Sequence, residues 1–183
     1  MCGIAGGTSL SEKQIKSIKL SMFHRGPDEQ NIYTYKDFSL IHTRLSIQDV
    51  FNGAQPFVIG DYVIAYNGEI YNHLSLRKKV KEYTFKTRCD TETLLALFIE
   101  YGESILDEMD GMFAFSILNK STNEIYLGRD RAGKKPLYFY KNSTSFIFAS
   151  ELNSLKKGIS NLSINNDEIY SKTTDSSDPK EII

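Results

Sequence analysis

The sequence has no tryptophan, only two cysteines and three histidines, and no surplus of charge of either sign. Its 22 basic and 23 acidic residues argue against a nucleic-acid or anionic-membrane binder, because such proteins carry a basic surplus. No apolar run approaches the roughly 20 residues of a membrane helix. The N-terminus also lacks the charged start and apolar stretch of a secretory signal. We therefore expect a cytoplasmic protein with no nucleic-acid or membrane partner.

The few cysteines and histidines exclude several kinds of site. In a reducing cytoplasm, Cys2 and Cys89 are not expected to form a structural disulfide. No histidine pair has the spacing of metal ligands, and Cys89 has no companion ligands, so no metal site is predicted. Glycine-rich phosphate loops of the Walker or dinucleotide-binding type are missing from the sequence. The chain's own motifs therefore predict no cofactor.

What is present is the composition of an ordinary globular domain. Hydrophobic residues make up 40% of the 183 residues and charged residues 25%. About nine strand-like runs arranged as antiparallel hairpins, with two or three helices in blocks, predict an α+β fold with a sheet-on-sheet core covered by helices. The amino-acid composition changes after Glu151, where polar residues dominate. We expect one domain over residues 1–155, followed by a polar tail or linker over residues 156–183.

Three helices can be placed from local signals. Ser11 and Gln14 have the spacing of a capping box, followed by apolar residues at helical spacing. A second helix is predicted from about residue 72 to residue 82. A third is predicted to begin at Asp90, as its N-cap, and to end at Gly102.

Cys2 is the first residue that could carry chemistry. Removal of Met1 would leave a free α-amine on the residue that bears the thiol. An α-amine titrates near pH 7.7–8.0 in model peptides, so it can act as a local general base. If Met1 were retained, the Cys2 nitrogen would be part of a peptide bond and could not act as a general base. Taken alone, a cysteine at position two more often has no function.

Three other positions form a coherent set with Cys2. In Asn67-Gly68-Glu69, a side-chain amide and a backbone N–H can both donate to one oxyanion, although Asn-Gly alone is more typical of a strand-to-helix turn. Arg44 lies in an apolar strand and needs a carboxylate partner, which the substrate could provide; the alternative is an outward-facing strand end. Asp90 could bind an ammonium group or only cap its helix.

The remaining charged and histidine residues are weaker candidates. His24 and His42 lie in segments where structural hydrogen bonding is the better interpretation, and His73 is expected in a solvated first helical turn. The run from Arg129 to Lys135 is interpreted as a solvated or loop-anchoring charge cluster.

The order of the motifs is more specific than any one of them. The chain resembles the N-terminal glutaminase domain of glutamine-dependent asparagine synthetases, which are class II glutamine amidotransferases, over about residues 2–152. Eight blocks carry the resemblance: MCGI at 1–4, HRGPD at 24–28, RLSI at 44–47, NGEIYN at 67–72, CDTE at 89–92, GMFAF at 111–115, RDR with KPLY at 129–131 and 135–138, and FASE at 148–151.

The resemblance implies a fold, a reaction and roles for particular residues. The fold would be the four-layer αββα sandwich of N-terminal-nucleophile hydrolases. Cys2 would attack the side-chain amide of L-glutamine, form a γ-glutamyl thioester and release ammonia, after which water would free glutamate. The residues matched to roles are Asn67 and Gly68 for the oxyanion hole, Arg44 for the substrate α-carboxylate, Asp90 for its α-amine, Glu69 in the same pocket, the backbone around Leu45–Gln48, and the loop Arg25-Gly26-Pro27-Asp28, which would line or close the site.

The sequence departs from the family pattern in three places. After residue 131, the family usually has a large apolar residue, a glycine and a β-branched residue, whereas this chain has Ala132-Gly133-Lys134. Before Asp90, the family favours small residues, but Arg88 and Cys89 stand here. The Ser-Gly-Gly-x-Asp-Ser pyrophosphate loop of the synthetase domain is not found. ATP and Mg²⁺ are therefore expected only on a separate synthetase domain or partner subunit.

Alternative functions stay open at this point. The same fold could be a non-catalytic glutamine-binding or regulatory remnant, which the missing synthetase motif favours and the intact set of site residues opposes. It could also be the glutaminase of another class II amidotransferase, although the blocks at 44–47 and 67–72 fit the asparagine-synthetase type better. An N-terminal-nucleophile peptidase is less favoured, because it would not require Arg44 and Asp90. The ammonia acceptor and any homo-oligomer stay undetermined.

Overall fold

The computed structural model describes residues 1–159, which fold into two antiparallel sheets with helices on their outer faces. The strands are β1 Gly3–Thr8, β2 Glu29–Tyr35, β3 Phe38–Arg44, β4 Phe57–Ile59, β5 Tyr62–Ile70, β6 Gly111–Asn119, β7 Glu124–Arg129, β8 Tyr138–Lys141 and β9 Phe146–Ala149. The α-helices are α1 Glu12–Ser21, α2 His73–Leu76, α3 Asp90–Tyr101 and α4 Leu152–Gly158. Short 3-10 helices cover Phe23–Arg25, Arg77–Lys79 and Gly102–Glu108.

The two sheets pack face to face between two helical layers. One sheet has the strand order β2-β3-β1-β9-β8, and the other has the order β4-β5-β6-β7. An apolar layer joins the sheets through Ile4, Phe38, Leu40, Val63, Ala65, Ala114, Leu118 and Phe148. A second layer packs α1 and α4 on the first sheet, and a third packs α3 on the other. This is the predicted four-layer αββα arrangement.

The alternation of each strand decides which layer a side chain enters. In β1, Ile4 points between the sheets and Ala5 points towards α1 and α4. In β5, Ala65 points between the sheets, while Ile64 and Tyr66 pack under α3. Every second residue of these strands therefore continues the inter-sheet layer towards the ends of the sandwich.

The helix signals in the sequence are confirmed at α1 and at the end of α3. The Ser11 hydroxyl accepts from Gln14 N at 3.4 Å, and Gln14 Oε1 accepts from Ser11 N at 3.0 Å, which is the predicted capping box. Gly102 ends α3 with φ of +62°, a left-handed conformation that glycine adopts without a Cβ penalty.

The helix predicted over residues 72–82 is wrong in length. Helix α2 ends at Leu76, and one 3-10 turn follows before the chain becomes extended at Val80. The Lys81 N–H bonds the Glu100 carboxylate instead of a helical carbonyl. The Arg77 side chain donates to the carbonyls of Thr87 and Cys89, so it ties this segment to the chain that precedes α3. These tertiary contacts outweigh the local helix preference.

The predicted domain boundary falls inside a helix. Helix α4 runs to Gly158, three residues past the expected end at residue 155. The rest of the predicted tail, residues 160–183, lies outside the described residues. Among the described helices, none has the length and apolar character that a membrane crossing requires.

We expect the core beneath α3 to dominate stability. Leu95 is fully buried in that core, whereas Leu74 on α2 is 64% exposed. Leu95→Ala should lower the free energy of unfolding by about 2–5 kcal/mol, because it removes buried contacts and leaves a cavity. Leu74→Ala is the matched control and should change it by no more than about 0.5 kcal/mol. Denaturant unfolding monitored by circular dichroism measures both, and equal losses would contradict this assignment of the core.

Candidate active site

The predicted site residues converge because the inter-sheet layer turns polar at one end. Ile4, Leu40 and Ala65 are inward-facing apolar positions of β1, β3 and β5. Continuing each strand's alternation towards that end gives Cys2, Arg44 and Asn67. Two sheets and three strands thus deliver a thiol, a guanidinium and an amide to one place.

A cavity of about 200 Å³ lies where these side chains meet. All eight residues that the sequence analysis assigned to catalysis or substrate binding line it: Cys2, Arg44, Leu45, Gln48, Asn67, Gly68, Glu69 and Asp90. Met1 also forms part of its wall. The loop Arg25–Asp28, which was expected to line or close the site, is not among the described residues that line this cavity.

The Cys2 thiol is held at the cavity wall by the backbone of Leu45. Leu45 N donates to Cys2 Sγ at 3.4 Å, and Leu45 O lies 3.6 Å from the same sulfur. Burial raises the pKa of this thiol, while the Leu45 N–H and the positive charges of the N-terminus, Arg44 and Arg25 oppose that rise. Because the net shift is upward, the thiol needs a base to become a nucleophile.

The second cysteine of the cavity is in a different electrostatic environment. Burial and the negative charges of Asp49 and Asp90 together raise the pKa of the Cys89 thiol to about 11, against smaller opposing effects of Thr87 and Arg44. Cys89 lies inside the chain and has no α-amine of its own. Of the two thiols, Cys2 has the surroundings that oppose a thiolate less strongly.

Asn67, Gly68 and Glu69 lie inside β5, so the turn favoured by the Asn-Gly pair alone is wrong. They pair with β6 at Ala114, Phe113 and Met112. A Cβ on Gly68 would collide with the Met112 carbonyl and with Phe113, so glycine is required by close strand packing and not by a turn. The pairing with a long neighbouring strand overrides the local turn signal.

Two hydrogen-bond donors of β5 remain available to the cavity. Asn67 Nδ2 is buried and finds no partner within residues 1–159. Tyr66 N and Ile70 N bond the side chains of Gln55 and Asp90, so both point away from β6. By strand alternation, Gly68 N points to the same edge between them. Two free N–H donors on neighbouring residues of one cavity are groups of the kind that stabilise an oxyanion.

Arg44 is more heavily bonded than a simple carboxylate receptor. Its Nη1 donates to the Glu29 carboxylate at 3.2 Å and to Val50 O at 3.2 Å. Its Nη2 donates to Asp49 O at 2.9 Å and to Gln48 O at 3.4 Å. Arg44 is therefore a cavity-lining cation that also organises the loop after β3, and its carboxylate partner within the chain is Glu29.

Asp90 connects the start of α3 to β5. It is the first residue of the helix, and Cys89 is the N-cap, so the predicted cap is wrong by one position. Asp90 Oδ2 accepts from the Tyr66 hydroxyl at 2.6 Å and from Ile70 N at 3.0 Å. Burial raises the pKa of Asp90, and these hydrogen bonds oppose the rise. A cation bound beside this carboxylate would favour its charged form.

The loop Arg25–Asp28 supports the site from outside the cavity. Arg25 Nε donates to Cys2 O at 2.9 Å, and Arg25 Nη1 pairs with Glu151 at 3.0 Å. Asp28 accepts from Ser46 N at 2.7 Å, and Pro27 forms a bridge with Arg44. The loop therefore fixes the backbone on both sides of the thiol.

Several cavity residues were missed by the sequence analysis. Tyr66 and Gln55 line the cavity and bond other lining residues. Lys135 was assigned to a solvated or loop-anchoring cluster, but it is 5% exposed and its Nζ contacts Met1 Sδ at 3.1 Å. Asp130 of that cluster anchors the loop by accepting from the N–H groups of Lys134 and Lys135. Tyr66 directly precedes the Asn67-Gly68 pair and Lys135 opens the KPLY block, so a position beside or within a motif was the usable signal.

Comparison with known proteins identifies the family of the chain. A family model described as a glutamine amidotransferase domain matches residues 1–181. The chain belongs to this family. The chain is 41% identical over 167 residues to asparagine synthetase [glutamine-hydrolyzing] 1 of Bacillus subtilis, covering 85% of the chain and 26% of that relative. It is 42% identical over 165 residues to asparagine synthetase B [glutamine-hydrolyzing] of Escherichia coli, covering 85% and 30%. The chain thus spans about a quarter to a third of these relatives.

Solved structures share the fold of this glutamine amidotransferase domain. A glutamine phosphoribosylpyrophosphate amidotransferase of B. subtilis, solved with ADP and GMP, superposes with a TM-score of 0.68 at 21% identity, over 85% of this chain and 43% of that one. An allosteric regulatory enzyme of purine biosynthesis gives a TM-score of 0.70 at 22% identity, with the same coverage. The predicted four-layer αββα fold is confirmed.

We expect His42, a buried histidine that contacts the backbone of Tyr66, to make the free energy of unfolding fall in mild acid. His42 is 1% exposed, its Nε2 lies 3.2 Å from Tyr66 O, and burial lowers its pKa to about 4 from 6.5. Between these values the unfolded chain binds a proton that the folded chain does not, so stability is lost as the pH falls. From pH 7 to pH 5, this group should contribute a loss of about 2 kcal/mol.

Denaturant unfolding of the wild type and of His42→Gln at both pH values measures this contribution. The variant retains an amide donor for Tyr66 O but has no titrating group at this position. Its free energy of unfolding should therefore fall by about 2 kcal/mol less between pH 7 and pH 5 than that of the wild type. Equal losses in the two proteins would contradict the assignment.

Proposed function

We propose that this domain hydrolyses L-glutamine to glutamate and ammonia, with Cys2 as the nucleophile after removal of Met1. The observation that carries the proposal is the single cavity that joins the Cys2 thiol, the unpartnered Asn67 amide, and the charged side chains of Arg44 and Asp90. These groups suit an α-amino acid with a side-chain amide. Its carboxylate and ammonium would pair with Arg44 and Asp90, and its amide would lie at Cys2 and Asn67. Family membership and the names of the relatives support the same reaction.

In the first half of the reaction, the free α-amine of Cys2 accepts the thiol proton. The sulfur then bonds the side-chain amide carbon of glutamine, and the amide oxygen becomes an oxyanion. Asn67 Nδ2 and Gly68 N–H donate to this oxygen. The α-ammonium of Cys2 returns its proton to the amide nitrogen, which leaves as ammonia when the carbon–nitrogen bond breaks. A γ-glutamyl thioester remains on Cys2.

In the second half, water attacks the thioester carbon and gives its proton to the same α-amine. The oxyanion forms again in the same place, and the carbon–sulfur bond breaks as the sulfur recovers a proton. Glutamate is released with both protein groups restored. During both halves, Arg44 holds the α-carboxylate and Asp90 the α-ammonium of the substrate.

The ammonia is proposed to serve an asparagine-synthetase-type amidation. Curated relatives that carry this name are about three to four times the length of the matched region. The amidation would therefore take place on a synthetase domain or subunit. In this proposal, ATP and Mg²⁺ belong to that partner, and the glutaminase reaction proceeds in the cytoplasm without a cofactor.

We expect Cys2→Ala to abolish glutamate release from glutamine. The comparison uses protein whose Met1 removal has been verified by intact mass, because an acylated Cys2 nitrogen cannot act as the base. Cys89→Ala is the matched thiol control and should still release glutamate. Glutamine binding by calorimetry without turnover in the trimmed wild type would support the alternative of a non-catalytic glutamine-binding module.

We expect Asn67→Ala to lower kcat about 10²- to 10³-fold, because removal of one oxyanion donor has this effect in other acyl-transfer enzymes. KM should change only a few-fold, since the lost hydrogen bond strengthens as charge develops on the oxygen. Steady-state kinetics with glutamine separates the two constants. A large rise in KM at unchanged kcat would assign Asn67 to substrate binding instead.

A further inference from the structure

Gln48 places an unsatisfied acceptor in the cavity. Its Nε2 donates to Glu69 Oε1 at 3.3 Å, and this bond fixes the orientation of the side-chain amide. Its Oε1 is buried and accepts no hydrogen bond from any described residue. A buried carbonyl oxygen without a donor is destabilising, so a ligand that brings a donor to it gains binding free energy.

The position of Gln48 identifies which part of a substrate would reach it. The Gln48 backbone carbonyl accepts from Arg44 Nη2 at 3.4 Å, so the residue stands beside the proposed α-carboxylate receptor. In an α-amino acid, the ammonium is attached to the carbon next to the carboxylate. A substrate held by Arg44 therefore carries its ammonium group into the neighbourhood of Gln48.

The cavity offers free groups of two kinds. The available donors are Asn67 Nδ2 and the Gly68 N–H. Gln48 Oε1 is an available acceptor, and the bond from the nitrogen of the same amide to the Glu69 carboxylate fixes its position. Donors suit an amide oxygen that becomes negative, and acceptors suit a cation with several N–H groups.

We propose that Gln48 is a specificity-determining residue whose side-chain oxygen accepts a hydrogen bond from the substrate's α-ammonium. Its bond to Glu69 holds the oxygen in place, and Asp90 provides the opposing charge. The domain thereby selects α-amino acids over amides that have the same chain without an amino group. This inference rests on the proposed glutaminase function, to which it adds the determinant of substrate choice.

The test compares L-glutamine with glutaramate, which has the same carboxylate and terminal amide but no α-amine. Ammonia release gives kcat/KM for each substrate with Met1-trimmed wild type and with Gln48→Met. The apolar side chain of similar length removes the acceptor. We expect the preference for glutamine to fall about ten- to a hundredfold, the range for a hydrogen bond to a charged group. The value for glutaramate should stay within a few-fold.

Two further variants separate recognition from general loosening of the loop. Asn52 lies on the same loop, bonds the Asp49 carboxylate and is not among the described residues that line the cavity. Asn52→Leu should affect both substrates alike and leave their ratio unchanged. Gln48→Glu keeps an acceptor and should retain the preference, although repulsion from Glu69 raises KM for both substrates.

The outcomes are distinguishable. Wild type without turnover of glutamine contradicts the proposed function itself. Active wild type together with an unchanged ratio in Gln48→Met overturns the role of Gln48 alone. If Gln48→Met does not unfold cooperatively, Gln48→Ala is measured by the same ratio, and an unchanged ratio there overturns the role equally.

Discussion

The site depends on one geometric constraint, the two-residue alternation of strands that face each other across a shared layer. Through most of the sandwich this layer is apolar, as at Ile4 and Ala65. At one end the same inward-facing positions are Cys2, Arg44 and Asn67. Because the strands are fixed by their ladders and by the core, these polar side chains cannot turn away from one another. The fold thus brings together groups that the sequence separates by up to 65 positions.

Burying polar groups in such a layer destabilises the fold unless they find partners, and here most of them do. Asp90 is bonded by the Tyr66 hydroxyl and Ile70 N, and Arg44 is bonded by Glu29 and loop carbonyls. Among the described residues, four buried side-chain atoms lack a hydrogen-bond partner, namely Arg25 Nη2, Gln48 Oε1, Asn67 Nδ2 and Ser116 Oγ. Of these four, Gln48 Oε1 and Asn67 Nδ2 belong to residues that line the cavity. An unsatisfied donor near the thiol and an unsatisfied acceptor near the guanidinium are the groups that a ligand would complete.

Much of this arrangement could be predicted from the sequence, because it is determined by neighbouring residues or indicated by the order of the motifs. The capping box at Ser11 and the glycine after α3 depend only on neighbouring residues, and both predictions are confirmed. The turn at Asn67-Gly68 was wrong because pairing with β6 decides that conformation, and a single segment does not reveal its partner. The buried state of Lys135 and the free oxygen of Gln48 depend on contacts across 134 and 21 positions, which no local pattern contains.

The bonding of Arg44 would link the proposed substrate binding to the conformation of the loop after β3. Its four terminal N–H bonds go to one carboxylate and to the carbonyls of residues 48–50. A substrate carboxylate that binds these nitrogens has to share them with the carbonyls or replace them. In the proposed complex this exchange is favoured by the charge of the substrate, because a charged acceptor bonds guanidinium more strongly than a neutral one. Residue 48 also carries the proposed acceptor for the substrate ammonium. In the proposed complex, binding of the carboxylate by Arg44 and recognition of the ammonium by Gln48 are therefore coupled through the same backbone segment.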